Sequence, residues 1–249
     1  MKAMILAAGL GTRLRPLSDD RPKALVEIEG RTLLEITLSR LRASGVREVI
    51  VNVHHFADMV VEYLRANHNF CMRIEVSREE VLLDTGGGLK QAAWFFLEDS
   101  SERGQPFFLH NVDVLSTIDL GRMVQFHTEN HALVTLAVQQ RKSSRYLLFD
   151  ENGQLRGRRF EREVRTQLIR PAEPLQALAF CGIHVISPRL LQIMTEEGAF
   201  SILETYLRLA ARQQELLAFR ADEYYWRDLG TSDSLKLAAE DLRNGAIGQ

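Results

Sequence analysis

"MILAAGLGTRLRPLSDDRPKALVEI", residues 4–28, decides the fold of this chain because it joins an apolar run to a glycine-rich loop. The apolar run predicts a buried strand, and the strand leads directly into the loop "GLGTRLRP". Such a loop places backbone N–H groups, with no side chains in the way, where they can bind phosphates. Arg13, Arg15 and Lys23 add positive charge within about ten residues of the glycines. The stretch therefore indicates a phosphate-binding loop, with a solvated turn carrying surface cations as the alternative.

Two familiar phosphate-binding loops do not match this stretch. The pattern G-x-G-x-x-G would need glycine at position 14, where Leu14 stands, and no G-x-x-x-x-G-K-[ST] occurs in the chain. The loop is therefore neither a standard dinucleotide loop nor a P-loop. An oxidoreductase that uses a nicotinamide cofactor is disfavoured, because Arg13 and Lys23 suit a triphosphate better than a dinucleotide.

Composition narrows the class of protein further. The chain has 249 residues, 45% of them hydrophobic and 26% charged, as in a globular protein with one large domain. A net charge of −2 offers no basic field for nucleic acid. The N-terminal apolar run breaks at Gly9, too early for a secretory signal, and no run approaches the ~20 residues of a membrane span. We expect a cytoplasmic protein with no membrane or nucleic-acid partner, in which Cys71 and Cys181 are buried reduced thiols.

Strand-like and helix-like segments alternate along the first half of the chain. Predicted strands lie at residues 2–8, 48–53, 72–79 and 106–114, and predicted helices at 32–45, 56–66 and 88–98. Thr32 is placed to cap the first helix and Gly45 to end it. This pattern predicts a mostly parallel sheet with helices on both faces. Ligands bind beyond the carboxyl ends of such strands, so we expect polar groups after the first and fourth strands to meet at one site.

The pattern changes after residue 132. Asn152-Gly153 between two apolar runs predicts a hairpin, and residues 176–188 predict a long strand. These segments indicate a smaller β-rich lobe. The chain then continues with a predicted helix at 201–214, a strand at 216–221 and an amphipathic helix capped by Ser232 or Asp233.

The opening stretch resembles the signature L-A-A-G-x-G-T-R-x-x-P-(L)-[ST]…P-K-x-L of the sugar-phosphate nucleotidyltransferases. The likeness continues in the family's order through "LLDTGGGLKQA", "FFLHNVDV", "FCGIHVI" and "WRDLGT". It implies an α/β fold with a Rossmann-like, three-layer α/β/α, mostly parallel sheet and a small β-rich sugar-binding lobe. The single domain would span 1–249, with a nucleotide-binding core at 1–140 and the lobe with the C-terminal helices at 141–249. Compact size and the "DTGGG" element are most similar to N-acetylmuramate-1-phosphate uridylyltransferases and short mannose-1-phosphate guanylyltransferase-like proteins.

The same resemblance implies a catalytic set and a substrate-binding set. The catalytic set is Arg13, Lys23, Asp113 and Asp228. The substrate-binding set is Ala8, Gly9, Gly11, Thr12, Thr85, Gly86, Gly87 and Gly182. By resemblance, the loop glycines with Thr12 and Arg13 would bind the triphosphate, and Lys23 would sit at the transferred α-phosphate. Asp113 and Asp228 would hold Mg²⁺, Gly182 would lie by the sugar, and Ala8 with the "DTGGG" segment would hold the base. Taken alone, "DTGGG" fits a plain helix-entry loop equally well.

The implied reaction transfers a nucleotide from an NTP, with UTP favoured, to a sugar-1-phosphate and releases pyrophosphate. A phosphate monoester has a second pKa of about 6, so the attacking group is already charged at neutral pH and needs no general base. His54, His55 and His110 are accordingly expected to be structural. Alternatives are GTP- or CTP-dependent transfer to mannose-1-phosphate or choline phosphate, and a nucleotide-sugar sensor without turnover. The protein would be a monomer or homodimer.

Departures from the family pattern concern mainly the sugar side of the site. Val112 stands where the family has the glycine of a Gly-Asp pair, which gives the sensor alternative its weight. Glu27 replaces a frequent proline, and Ser18 replaces threonine but keeps the hydroxyl. The family's Glu-Lys-Pro element is missing. Residues 156–170 are charge-rich instead, and we expect a solvated, mobile segment there rather than a dedicated anion site.

Overall fold

The computed structural model describes residues 1–98 and 104–245. In chain order, the strands are β1 Lys2–Leu6, β2 Glu27–Ile28, β3 Arg31–Thr32, β4 Glu48–Val53, β5 Arg73–Arg78, β6 Phe107–Asn111, β7 Val114–Ser116, β8 Val134–Gln139, β9 Arg145–Phe149, β10 Leu155–Phe160, β11 Arg165–Leu168, β12 Gln176–Ile186, β13 Leu216–Arg220 and β14 Trp226–Asp228. The helices are α1 Leu33–Ala43, α2 Ala57–Ala66, α3 Asp84–Gln91, α4 Ala93–Leu97, α5 Leu120–Glu129, α6 Arg189–Ile193, α7 Ile202–Ala211 and α8 Ser232–Arg243. In these ranges no helix is long and apolar enough to cross a membrane.

The main sheet has the predicted parallel core. Its strands run in the order β5-β4-β1-β6-β12, and the first four are parallel to one another. β12 is antiparallel to β6, and β8 and β13 extend the sheet beyond it. Because β1 and β6 are neighbours, with Leu6 opposite Asn111, their carboxyl ends open at the same edge. That edge is where the sequence predicted a ligand site.

Helices cover both faces of the sheet, as the alternating pattern predicted. Ala3 and Ile5 of β1 point into one apolar cluster, and Met4 points into the other. The first cluster includes residues of α1, α2, α5 and α8, and the second includes residues of α3, α4, α6 and α7. The alternation of side chains along a buried strand thus gives the three layers.

Local signals explain how the helices begin and end. The Thr32 hydroxyl accepts a hydrogen bond from the Glu35 N–H at 3.0 Å, which confirms the predicted cap of α1, and Gly45 follows that helix in the left-handed region at φ +87°. For α8 the predicted cap was wrong by a residue or two. Thr231 caps it by accepting from the Ser234 N–H, because Thr231 is the last residue with extended backbone before the helix.

A small antiparallel lobe grows from the long strand β12. The amino-terminal part of β12 pairs with β9, and β9, β10 and β11 continue as an antiparallel sheet. The predicted hairpin is present between β9 and β10, with Gly153 at φ +74° in its turn. Residues 156–170, expected to be a solvated, mobile segment, contribute to β10 and β11, and residues 161–166 are exposed. The ladder between these strands, with Gly157 opposite Leu168, orders that charge-rich run.

The two cysteines differ in environment. Cys181 is buried in β12, as predicted, and burial raises the pKa of its thiol to about 12. Cys71 is exposed, contrary to prediction, because its segment forms a 3₁₀ turn before β5 rather than part of the strand.

Candidate active site

A cavity of about 300 Å³ opens beyond the carboxyl ends of β1 and β6. Its lining comes from five segments of the chain: Leu6, Ala8, Gly9, Lys23, Asn52, Glu79, Leu82, Asp84, Thr85, Asn111, Val112 and Asp113. Residues after the first and fourth predicted strands therefore do meet at one site.

The glycine-rich loop holds its shape through one glycine and one serine. Gly11 lies in the left-handed region at φ +65°, and a Cβ there would lie 3.1 Å from the Ser18 Cβ. The Ser18 hydroxyl donates to the Gly11 carbonyl at 2.8 Å, so the hydroxyl shared by serine and threonine is in use. Leu14, which breaks the dinucleotide pattern, is fully buried and anchors the loop in the core. Gly9 is exposed beside the cavity, and a Cβ there would meet nothing within 4 Å.

Lys23 and Asp113 meet as an ion pair in the cavity wall. The Lys23 ammonium donates to the Asp113 carboxylate, and both side chains are nearly buried, with 13% and 12% of their surface exposed. Lys23 begins a 3₁₀ turn after Pro22, and Asp113 lies in the link between β6 and β7. The fold thus joins a lysine from the first loop to an aspartate 90 residues later.

A two-stranded ribbon brings the second aspartate beside the first. β14 pairs with β7 so that Asp228 lies opposite Val114, and the Leu229 N–H donates to the Asp113 carbonyl at 2.8 Å. The Asp228 carboxylate accepts from the Gly230 N–H at 2.8 Å. A Cβ on Gly230 would lie 2.7 Å from Asp228 Oδ1 and 2.8 Å from Arg13 Nη2, so the Arg13 guanidinium is next to this carboxylate.

Metal binding at this site would rest on the two aspartates. Carboxylate oxygens are the ligands that Mg²⁺ prefers, and it commonly takes one or two of them together with phosphates and water. Asp113, just before β7, and Asp228, on the strand that pairs with β7, fit that donor set. In the described part of the chain, no group of three or more His, Cys, Asp or Glu side chains forms a metal site.

Gly182 lies next to the cavity at an irregular point of β12. It sits at φ +74° where the register with β8 shifts, and a Cβ there would lie 2.8 Å from Val114 Cγ2 and 2.9 Å from Asn111 Nδ2. Gly182 therefore allows close packing against Asn111, which lines the cavity.

The "DTGGG" segment is the start of α3, which begins four residues earlier than predicted. The Gly86 and Gly87 N–H groups donate to the Phe200 carbonyl, at 2.9 and 3.3 Å. The Thr85 hydroxyl lines the cavity and also accepts from the Ile202 N–H at 3.0 Å. Because these glycines have no side chains, the segment before α7 packs directly against their backbone. Their role in base binding stays a prediction. Thr12, exposed in the first loop, likewise stays a predicted ligand of the triphosphate.

Sequence reasoning missed several polar residues of the cavity wall. Asn52 near the end of β4, Glu79 just after β5 and Asn111 at the end of β6 all line it. Burial raises the pKa of the Glu79 carboxyl. The signal was available, because each residue is a polar side chain at the carboxyl end of a parallel strand.

The histidines near the strand ends have structural contacts. His110 Nδ1 lies 2.7 Å from the Asn111 carbonyl, and burial, reinforced by the Arg40 charge, lowers the His110 pKa to about 3. His54 Nδ1 lies 2.9 Å from the Glu79 carbonyl. These contacts agree with the prediction that neither histidine is a general base.

Comparison with known proteins agrees with this geometry. The sequence profile of the family described as Nucleotidyl transferase matches residues 2–245. The N-acetylmuramate alpha-1-phosphate uridylyltransferase of Caulobacter vibrioides is 35% identical over 243 residues, which cover 96% of this chain and 95% of that protein. The mannose-1-phosphate guanyltransferase of Yarrowia lipolytica is 30% identical over 233 residues, which cover 92% of this chain and 61% of that longer protein.

Solved structures share the fold at lower identity. A UDP-glucose pyrophosphorylase complexed with UDP-glucose superposes with a TM-score of 0.78 at 16% identity, covering 98% of both chains. The inositol-1-phosphate CTP transferase from T. maritima gives a TM-score of 0.75 at 17% identity, covering 99% of this chain and 96% of its own. The chain belongs to the nucleotidyl transferase family and is an enzyme of the sugar-1-phosphate nucleotidyltransferase class.

Proposed function

We propose that this enzyme transfers UMP from UTP to a sugar-1-phosphate, N-acetylmuramate-1-phosphate being the favoured acceptor, with Mg²⁺ as cofactor. The observation that carries the reaction is the Lys23–Asp113 ion pair in the wall of the cavity that the glycine-rich loop also lines, with Asp228 on the strand that pairs directly after Asp113. The choice of UTP and acceptor is supported by a relative of that name that matches this chain over nearly its whole length.

The proposed chemistry needs charge compensation rather than a protein nucleophile. The attacking oxygen belongs to the sugar phosphate, which is largely dianionic at neutral pH because its second pKa is about 6. The barrier comes from bringing two anions together in line. Lys23 would neutralise the transferred α-phosphate, and Arg13 would stabilise the departing pyrophosphate.

Asp113 and Asp228 would hold Mg²⁺, which when bound supplies positive charge and orientation to the phosphates. The ion pair with Asp113 holds the Lys23 ammonium in the cavity wall. Ala8, Thr85 and the "DTGGG" segment are proposed for the base side, and Gly182 for the sugar side. A cytoplasmic location and a monomeric or homodimeric state remain our predictions.

The reaction is tested by pyrophosphate release with Mg²⁺ across the four nucleoside triphosphates, each against N-acetylmuramate-1-phosphate, mannose-1-phosphate, glucose-1-phosphate and choline phosphate. We expect release with UTP and N-acetylmuramate-1-phosphate that depends on both substrates. Release with GTP or CTP and another acceptor would replace our assignment of substrates. Nucleotide binding without any release would favour a sensor.

Asp113→Asn tests the proposed metal site. The variant keeps the side-chain shape but removes the charge that holds Lys23 and Mg²⁺, so we expect kcat to fall by about 100-fold or more while the protein still folds. Asp233→Asn, an exposed aspartate in the first turn of α8, is the matched control and should retain wild-type turnover. Near-normal turnover of Asp113→Asn would remove this residue from the mechanism.

A further inference from the structure

Two buried polar side chains connect two segments that line the cavity. Asn52 and Glu79 are 2% and 4% exposed. The Asn52 carbonyl oxygen accepts from the Ala7 N–H at 3.1 Å and from the Ala8 N–H at 3.3 Å, at the start of the glycine-rich loop. The Asn52 amide nitrogen donates to one oxygen of Glu79. The second oxygen of Glu79 accepts from the Leu83 N–H at 2.9 Å.

The polarity of this chain of hydrogen bonds is fixed by its ends. Backbone N–H groups can only donate, and an ionised carboxylate can only accept. The Asn52 amide must therefore turn its oxygen toward Ala7 and Ala8 and its nitrogen toward Glu79. Every polar atom of the two side chains that faces these loops has a partner, although both side chains are buried.

The third glycine of "DTGGG" provides the space for this arrangement. A Cβ on Gly88 would lie 2.6 Å from Asn52 Nδ2 and 2.6 Å from Glu79 Oε1. Side chains of Leu82, Asp84 and Thr85 line the cavity next to Leu83. The Glu79 contact to Leu83 thus fixes one segment that lines the cavity, while Asn52 fixes another, the start of the glycine-rich loop.

We propose that Asn52 and Glu79 act as a positioning pair, which sets the spacing between the start of the glycine-rich loop and residues 82–85 and so controls affinity for the nucleoside triphosphate. The inference rests on the proposed function, because both segments would contact the same nucleotide. Neither side chain is a catalytic residue. Each acts through the backbone groups it holds.

Exchanging the two functional groups provides the test. In Asn52→Asp, two carboxyl groups oppose each other in a buried place. In Glu79→Gln, an amide nitrogen must face either the Asn52 amide or the Leu83 N–H, which leaves two donors opposed. In the double variant the new carboxylate accepts from Ala7, Ala8 and the new amide, whose oxygen accepts from Leu83. Every donor is paired again.

The readouts are the dissociation constant of MgUTP by calorimetry without acceptor, the KM of each substrate, and Tm. We expect each single variant to weaken MgUTP binding about tenfold, equivalent to about 1.4 kcal/mol, and the double variant to return within about threefold of wild type. The acceptor KM should stay within about twofold in all three. Glu79→Asp, which keeps the polarity but is one methylene shorter, should weaken MgUTP binding in a protein that keeps its fold.

Two results would overturn the pair. One is a double variant as weak as the two single effects combined, and the other is lowered Tm in the single variants with unchanged MgUTP affinity. If Asn52→Asp or Glu79→Gln does not fold, unchanged affinity in Glu79→Asp has the same meaning. Failure of the proposed function looks different, because it appears in the wild-type protein itself, as MgUTP binding without pyrophosphate release with any acceptor or as no binding of any of the four nucleoside triphosphates.

Discussion

Gly230 lies against the side chains of both Arg13 and Asp228. A Cβ at this position would lie 2.7 Å from one side chain and 2.8 Å from the other, closer than packed atoms approach. Because glycine has no side chain, the Arg13 guanidinium and the Asp228 carboxylate can lie next to each other here. Asp228 belongs to β14, which pairs with β7 directly after Asp113.

Gly230→Ala should displace Arg13 or Asp228 and so weaken apparent Mg²⁺ affinity in turnover by about tenfold. Gly121→Ala is the comparison, since this exposed glycine lies in α5, outside the lining of the cavity, where a Cβ would lie 3.2 Å from Asp119 Oδ1 and would leave Arg13 and Asp228 in place. Titration of turnover with Mg²⁺ measures the effect. Equal Mg²⁺ dependence in the two variants would contradict this arrangement.

Val112 has a packing role that the family comparison from sequence could not reveal. Its side chain is 3% exposed in the first apolar cluster, and its backbone N–H donates to the Leu6 carbonyl at 3.2 Å. The valine therefore belongs to the core between β6 and β7, which accounts for its presence at this position.

Val112→Ala should lower the free energy of unfolding by about 2 kcal/mol, since buried methyl groups are lost and a cavity remains. For a domain of this size that corresponds to a Tm lower by roughly 4–8 °C. Val81→Ala, at a side chain that is 71% exposed, should change Tm by less than about 2 °C. Similar shifts in both variants, measured by thermal unfolding, would refute the packing role.

At the scale of single residues, the family resemblance implied catalytic roles for Arg13, Lys23, Asp113 and Asp228, and these roles stay predictions. The structure pairs Lys23 with Asp113 and places Arg13 beside Asp228. Sequence reasoning could not identify Asn52 and Glu79 as a pair. Their contact joins two strand ends 27 residues apart, and no local pattern encodes such a contact.

Among the elements, α3 and α8 show how tertiary contacts override local signals. Three consecutive glycines disfavour a helix interior, so the sequence favoured a loop before residue 88. The helix nevertheless begins at Asp84, because each glycine admits a neighbour: the Phe200 ring at Gly86, the Gly198 carbonyl at Gly87 and the Asn52–Glu79 pair at Gly88. These packing contacts stabilise a helical turn that three glycines would disfavour by intrinsic propensity.

The cap of α8 gives a direct test at this scale. Thr231→Ala removes the hydroxyl that accepts from the Ser234 N–H and should cost about 1 kcal/mol of unfolding free energy. Ser232→Ala and Asp233→Ala, at the two positions that the sequence favoured, should each cost less than half as much. Urea unfolding of the three variants measures the difference. A larger loss of unfolding free energy in Ser232→Ala or Asp233→Ala than in Thr231→Ala would restore the cap that the sequence predicted.

For the whole molecule, buried histidines link stability to pH. His184 is fully buried with Nδ1 2.8 Å from the Tyr206 hydroxyl, and burial lowers its pKa to about 3. His127 is buried between Thr135 and Ser187, and burial lowers its pKa to about 4. Both pKa values lie below the value near 6.5 of a histidine in the unfolded chain. Between about pH 4 and pH 6.5 the unfolded chain therefore binds more protons than the folded protein.

Stability should therefore be full above about pH 6.5 and fall as the pH drops toward 4. We expect each of these histidines to lower the unfolding free energy by about 2 kcal/mol at pH 5 relative to pH 7. His184→Gln should lose only the His184 part of this pH dependence, about 2 kcal/mol, whereas His55→Gln, at an exposed histidine, should keep all of it. Urea unfolding at both pH values provides the test, and equal slopes for all three proteins would contradict it.

The order of strands and helices was largely predictable because burial imposes strict periodicity on a three-layer protein. The connection between the main sheet and the antiparallel lobe was harder to predict. β12 begins in the lobe and ends in the main sheet, a shared role that requires the bulge at Gly182. In the sequence this strand is one long apolar run, which does not indicate that its two ends pair in different sheets. The division of the domain near residue 140 stays a prediction.

The central claim is that a sugar phosphate attacks the α-phosphorus of a nucleoside triphosphate in the cavity beyond β1 and β6. The most direct measurement is phosphorus NMR of UTP, N-acetylmuramate-1-phosphate and Mg²⁺ with the wild-type enzyme. We predict one pyrophosphate for each nucleotide sugar, and neither product without the acceptor. Release of UMP or inorganic phosphate in place of a nucleotide sugar, or unchanged UTP with every acceptor tested, would contradict the account.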